Sequence, residues 1–439
     1  FSSSFPTRSG YIVVQTTPFV RRCPKDSSRL DEMDRSQLIR ARSLATMEPN
    51  FPDLIDDGAV LVRGNTIERV GRFDEMSGEV ARADVIDLGE SLLMPGLINA
   101  HTHLCLSQLK QSDAPAQPFT DWILSIATRS GRGSENYEAN LLAGIEEGVR
   151  QCMTFGVTTV GDITLPLASQ RRAILQSPLR VRSFIEALGL GSSRNRFEEA
   201  LRNARDDSDE TDRFTTGISP HAPYTVDRAG FVECVALGKQ ITTHPAETLD
   251  EREFLNHHAG AFRHVYDKLG TSLDGAERYS GSPVRLMYET GVLDSRALFA
   301  HVNYVDDSDL DLLAQGNSSV VFCPRTHEFF RHAPHRFPEM LSRGINVCLG
   351  TDSCASSPDL NLLDDARLVA RLAPQLTARE ILKMITIRGA HALRLEAITG
   401  SIRRAKCADL CAFDVGSLEE LLNGNVMPTA VWVDGIRVG

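Results

Sequence analysis

The chain has 439 residues, of which 42% are hydrophobic and 24% charged, and it carries a formal net charge of -11. That balance excludes a fibrous or disordered protein and leaves enough apolar mass for one large core with a smaller neighbour. The acidic charge excludes a nucleic-acid binder, which needs a concentrated Lys and Arg surface, and no apolar run reaches the roughly 18 residues of a membrane-spanning helix.

In chain order, residues 1–37 place Ser, Pro and Arg between short apolar pieces and read as a surface extension. They lack the uninterrupted apolar core and small-residue cleavage site of a secretory leader, and the sequence begins without Met. Residues 38–93 alternate around tight-turn signals, as in Ala59-Val-Leu-Val-Arg-Gly-Asn-Thr-Ile-Glu-Arg-Val, where Gly64-Asn65 marks a hairpin. The tail has the same texture, with Ala408-Asp-Leu-Cys-Ala-Phe-Asp followed by Val431-Trp-Val-Asp-Gly-Ile-Arg-Val and a turn at Asp434-Gly435. Segments 38–93 and 395–439 are therefore expected to pair into one small β-sandwich domain.

Between them, residues 94–394 show apolar or β-branched runs separated by helical stretches. The runs are Leu97–His103, Val157–Asp162, Val181–Leu188, Phe214–His221, Gln240–Glu247, Ala297–Val302, Ser318–Cys323 and Ile345–Asp352. Several are continuously apolar, as strands covered on both faces should be. Leu141, Leu142, Ile145 and Val149 form one helical stripe that Gly156 can terminate. Ser357-Pro358 reads as a cap with a first-turn proline, and Thr377-Ala-Arg-Glu380 as a capping box. Eight βα units predict a (β/α)8 TIM barrel whose active site lies at the carboxyl ends of the strands.

The nine cysteines are odd in number and scattered, several inside apolar runs, which suits free thiols in a reducing cytoplasm. Cys407 and Cys411 form an isolated pair that strand positions explain better than a metal.

His101 and His103 stand at i and i+2 on the first run, so both imidazoles project to one face near its carboxyl end. His221, His244, Glu247, His301 and Asp352 close four other runs. Burying unpaired polar groups costs free energy, so convergence on one metal-dependent hydrolytic site explains them better than packing.

Five ordered segments carry a family likeness: Pro95-Gly-Leu-Ile-Asn-Ala-His101-Thr-His103, Ser219-Pro-His221-Ala-Pro-Tyr224, His244-Pro-Ala-Glu247-Thr, Ala300-His301-Val and Leu349-Gly-Thr-Asp352-Ser. The chain resembles the amidohydrolase superfamily, in its cytosine deaminase-like and adenosylhomocysteine deaminase-like branch. The resemblance implies one divalent ion, zinc first and iron the alternative, held by His101, His103, His244 and Asp352. It further implies Glu247 as proton carrier, Asp352 as donor of the second proton, His301 as the group that orients the attacking oxygen, and His221 as a substrate contact. A homodimer is expected on the same likeness. No strand end offers the Lys that a binuclear site would carboxylate, and Glu186, the nearest bridging candidate, is read as a substrate-side residue.

Asp121 and Trp122, in Phe119-Thr-Asp121-Trp122-Ile, resemble the segment that reaches a nucleoside's sugar hydroxyls. Arg325 and His327 lie in Pro324-Arg325-Thr-His327-Glu-Phe-Phe330-Arg-His332-Ala-Pro-His335, whose cations and aromatic faces suit a small heteroaromatic substrate. That segment and His103-Leu-Cys105-Leu-Ser107 resemble the aminofutalosine deaminase-like subgroup, which typically has Glu where this chain has Cys105. Residues 248–296, long for a βα connection, are expected to cover the pocket. The leading expectation is a deaminase acting on a purine nucleoside-like or aminofutalosine-like amine. The alternatives are hydrolysis of a triazine chloride or cyclic amide on the same metal, and an inactive binding scaffold.

Overall fold

A computed structural model describes residues 36–76, 78–110 and 118–439. The first five strands are β1 (Ser36–Leu44), β2 (Ile55–Arg63), β3 (Thr66–Arg72), β4 (Asp84–Asp87) and β5 (Leu92–Pro95). β1 begins two residues inside the segment read as an extension, and residues 1–35 of that segment lie outside the described residues.

Eight further strands follow the predicted runs: β6 (Leu97–Thr102), β7 (Val157–Thr164), β8 (Arg180–Ala187), β9 (Phe214–Pro220), β10 (Thr242–Thr243), β11 (Leu298–Ala300), β12 (Ser319–Phe322) and β13 (Asn346–Leu349). They form two parallel four-stranded sheets, β6-β7-β8-β9 and β10-β11-β12-β13. Single parallel bridges, Ile218 to Ile241 and Thr102 to Asp352, join the two at both seams, so the order runs full circle. Ile98, Ala100, Ile163, Phe184, Leu298 and Val321 fill one apolar cluster with Ala390, Leu393 and Leu395, which makes the barrel a packed core rather than a pore. Arg182 and Gln240, near the starts of their strands, donate to the carbonyls of Leu393 (3.1 Å) and Ala392 (2.6 Å). The amino end is thus closed by the helix Ile387–Ala392, whose C-terminal carbonyls favour a cation, and the carboxyl ends remain for chemistry.

The tail supplies β14 (Leu410–Phe413), β15 (Pro428–Val433) and β16 (Ile436–Arg437). Both chain ends meet in one mixed sheet, ordered β16-β15-β14-β5-β1-β2-β3, with β4 on β1. The β2–β3 hairpin at one edge also reaches the segment leading into β14: Ala408 donates to Asn65 O at 2.8 Å, and Thr66 bridges to Cys407. The sheet therefore folds over the core of Ile39, Val60, Leu93, Leu410 and Trp432. Asp434 and Gly435 adopt positive φ (51° and 73°), as their hairpin requires. The Gly435 position is closed to any side chain, because a Cβ there would lie 2.3 Å from Gly64 O.

Two helix expectations came out differently. Thr377 and Glu380 do form a reciprocal capping box. Ser357-Pro358 opens no helix; the next one runs Leu362–Leu372 with Asn361 before it. The local cap signal loses to tertiary bonds, since Arg325 donates to the carbonyls of Asp359 (2.9 Å) and Asn361 (3.0 Å) and holds that stretch outside the helix.

Candidate active site

Seating of the first two histidines depends on the seam between β6 and the residue run after β13. Thr351 N and Asp352 N both donate to His101 O, at 3.2 and 3.1 Å, and Asn99 grips Thr351 through two bonds. Gly350 is needed there, because a Cβ would stand 2.8 Å from His101 O. Asp352, Ala246, His301 and Val302 take positive φ (57°, 57°, 67° and 57°) just beyond their strands. Left-handed backbone in non-Gly residues costs on the order of 1 kcal/mol or more each and gathers at functional sites.

The side chains converge. Asp352 Oδ1 lies 3.5 Å from His103 Nε2 and 3.8 Å from His101 Nε2, while Oδ2 accepts from Ser356 Oγ at 2.7 Å. His244 Nδ1 donates to His221 O at 2.7 Å, which leaves its Nε2 lone pair facing His101 Nε2 at 3.3 Å. One ligand atom from each of His101, His244 and His301 falls within 4.8 Å of the others, and so does one from each of His101, His103 and Asp352. Burial and the crowding of neighbouring rings hold His101, His103 and His301 well below the ordinary imidazole range. Burial takes His244 down to about 3 and His221 to about 4, and raises the Asp352 carboxyl to about 6. Neutral imidazole lone pairs and a carboxylate crowded in a low-dielectric space fit a divalent metal ion, which satisfies all of them at once.

Glu247 is buried beside this cluster, with Oε1 3.5 Å from His301 Nε2 and Oε2 accepting from Tyr224 OH at 3.3 Å. Burial, and then the charge of Asp352, push its carboxyl up to about 8. His335 donates from Nε2 to His301 O at 2.8 Å and fixes that backbone from behind. On β7, Asp162 accepts from Leu104 N at 2.8 Å and anchors the turn after His103. Sequence reading passed over Asp162 and His335; both sit at strand ends or in a quoted segment, but nothing local marks their partners.

Other predicted contacts divide. The His221 ring stands 5.0 Å from that of His244, centroid to centroid. Glu186, raised by burial, feels the His244 ring electrostatically. Trp122 joins an aromatic wall, its ring 5.0 Å from Phe330 and 5.7 Å from Phe119, with Nε1 donating to Ala355 O. The 248–296 connection adds Phe254, Phe262 and Tyr266 to that wall, and Phe262 stacks on Tyr224 at 4.1 Å, which puts the connection against the Tyr224 side of the cluster. Asp121 is exposed on the helix Phe119–Arg129 and makes no bond to the cluster among the described residues. His327 turns its Nε2 to Ala333 O.

Arg325 is a correction. Its guanidinium faces inward, to Asp365 (3.0 Å), Asp359 (2.7 Å) and two carbonyls, so it has no fork to offer a substrate. Arg325→Leu is accordingly expected to cost about 3–5 kcal/mol by stranding the fully buried Asp365. The surviving folded fraction should show an unchanged KM; denaturant titration and steady-state kinetics check both, and a raised KM at unchanged stability would restore the substrate role.

The sequence profile of the amidohydrolase family matches residues 92–438. A 5-methylthioadenosine/S-adenosylhomocysteine deaminase of Thermoanaerobacter pseudethanolicus is 28% identical over 392 residues, covering 86% of this chain and 85% of that protein. Among solved structures, an adenosine deaminase from Xanthomonas campestris with bound zinc superposes with a TM-score of 0.79 at 23% identity, covering 92% of this chain and 93% of that one. Helicobacter pylori aminofutalosine deaminase superposes at 0.77 with 21% identity, covering 92% and 100%. At those identities the structural likeness speaks for the barrel and its appended sheet. The profile match spans nearly all of the described chain, and on that ground this protein belongs to the amidohydrolase family.

Proposed function

We propose that the chain is a metal-dependent hydrolytic deaminase that exchanges the exocyclic amine of a nucleoside-like heteroaromatic for oxygen and releases ammonia. The observation that carries this reading is Glu247: a buried carboxyl, fixed by Tyr224, facing His301 at the edge of a metal-binding cluster. The names of its relatives, deaminases of adenosine-type compounds, point the same way.

His101, His103, His244 and Asp352 would hold the ion, and their nitrogen-rich set favours zinc over iron. When bound, such an ion lowers the pKa of water toward roughly 7 and so supplies hydroxide near neutral pH. Glu247 takes the proton from the attacking water and passes it to the ring nitrogen beside the carbon under attack, which makes that carbon electrophilic. Burial raises the Glu247 carboxyl above the ordinary range, which favours its holding the proton between uptake from water and delivery to the ring nitrogen. His301 directs a ring N–H or lone pair at the new oxygen, and Asp352 carries the second proton to the departing amine. The ring gains C=O, and nitrogen leaves as ammonia. Phe119, Trp122 and Phe330 offer faces against which a planar base can lie.

An ammonia-release screen on metal-loaded protein tests this, with adenosine, 5-methylthioadenosine, S-adenosylhomocysteine and aminofutalosine as substrates. Release from at least one is expected. Chloride release from a chlorotriazine with no ammonia from any amine would transfer the site to the other leaving group.

A further inference from the structure

Glu251 has no part in the chemistry above, yet it is fully buried, on the helix Asp250–His257 directly behind Glu247. A carboxylate at the start of a helix ordinarily sits in solvent and complements the macrodipole. This one turns inward: its Oε2 accepts from Glu247 N at 3.0 Å, and the Ala246 amide also bonds to the carboxyl. Ala246 is left-handed (φ 57°), so the two successive amides form a concave nest of the kind that binds an anion or acceptor oxygen. Tyr304 N donates to Ala246 O at 3.0 Å, and Asn303 Nδ2 donates to Glu247 O at 3.0 Å. The Ala246–Glu247 peptide unit is thus held from two sides, by Glu251 at its N–H and Tyr304 at its carbonyl, and the peptide units on either side of it are each held from one.

We propose that Glu251 is a positioning residue: its carboxyl fills the amide nest of Ala246 and Glu247 and so fixes the Glu247 side chain against His301. The inference rests on the role assigned to Glu247. What matters is the reach of the side chain and an acceptor oxygen at its end. A Gln of equal length satisfies the nest, and an Asp one methylene shorter does not reach it. A local turn that opens leaves Glu247 displaced by a fraction of its side-chain length, and misplacement of about 1 Å costs about 10²-fold in rate.

The test compares Glu251→Gln and Glu251→Asp in metal-loaded protein, following metal content, kcat, KM and hydrogen exchange of the 244–249 backbone. In E251D, exchange at Ala246 and Glu247 rises by about tenfold or more, and kcat falls by about 10²-fold with KM and bound metal unchanged. E251Q keeps wild-type exchange and stays within a few-fold of wild-type kcat. Unchanged exchange in E251D overturns the inference, as does a kcat loss in E251D matched by lost metal, or an E251Q less active than E251D. Absence of ammonia release from wild-type protein defeats the deaminase reading instead, and the exchange data then still decide the role of Glu251.

Discussion

Glu247→Gln is expected to lower kcat by about 10²- to 10⁴-fold while bound metal stays at the wild-type level. The amide is nearly isosteric with the carboxyl, its Oε1 can still accept from Tyr224 OH, and Nε2 falls on the side of His301 where Glu247 has its second oxygen. Packing and the ligand set are therefore left intact, and only the capacity to take up and return a proton is lost. KM should move little, because a ground-state substrate gains nothing from that proton transfer. Steady-state ammonia release with parallel metal analysis checks the outcome. Turnover within about threefold of wild type would remove Glu247 from the chemistry, since a general acid–base group contributes far more.

The positions of the chemical groups were readable because barrel topology ties them to strand ends, and buried parallel strands stand out as unbroken apolar runs. His301 and Asp352 stand just beyond such runs, His101 stands near the end of one, and His244 follows the short β-branched stretch Ile241-Thr-Thr243, so finding the strands locates these residues. What failed was pairing across long sequence distances. Arg325 in an aromatic segment looks like a substrate cation until Asp359 and Asp365, 34 and 40 residues on, are seen to occupy it. The same interaction erased the cap at Ser357-Pro358, because bonds to the carbonyls of Asp359 and Asn361 outweigh a local preference. Glu251 was hidden for a related reason: an acidic residue in a helix's first turn is ordinary, and only the left-handed Ala246 gives it a nest to fill. The appended sheet was legible in its hairpins, whereas the approach of the β15–β16 turn to the β2–β3 turn depends on Gly435 lying against Gly64, which no local pattern encodes.

Chelation of the ion is expected to abolish turnover and to lower the stability of the fold together, with both restored by readdition of zinc. Four donors from three strand ends meet in this cluster, so an ion there ties β6, the turn after β10 and the turn after β13 across both halves of the barrel. Without it, His101 and His244 have only each other's Nε2 at 3.3 Å, His101 Nδ1 has no partner among the described residues, and the Asp352 carboxylate is buried with two neutral rings. An ion that binds only the folded state stabilises it by about 4 kcal/mol when free ion is about 1,000 times Kd. His244→Ala should reproduce the loss of both activity and stabilisation by zinc, whereas Glu247→Gln should lose activity alone. That contrast separates the group that moves protons from the groups that hold the charge. Metal analysis should return about one ion per chain, since no Lys closes these strands to bridge a pair. Full turnover by chelated protein, or a second tightly held equivalent, would overturn the single-ion site.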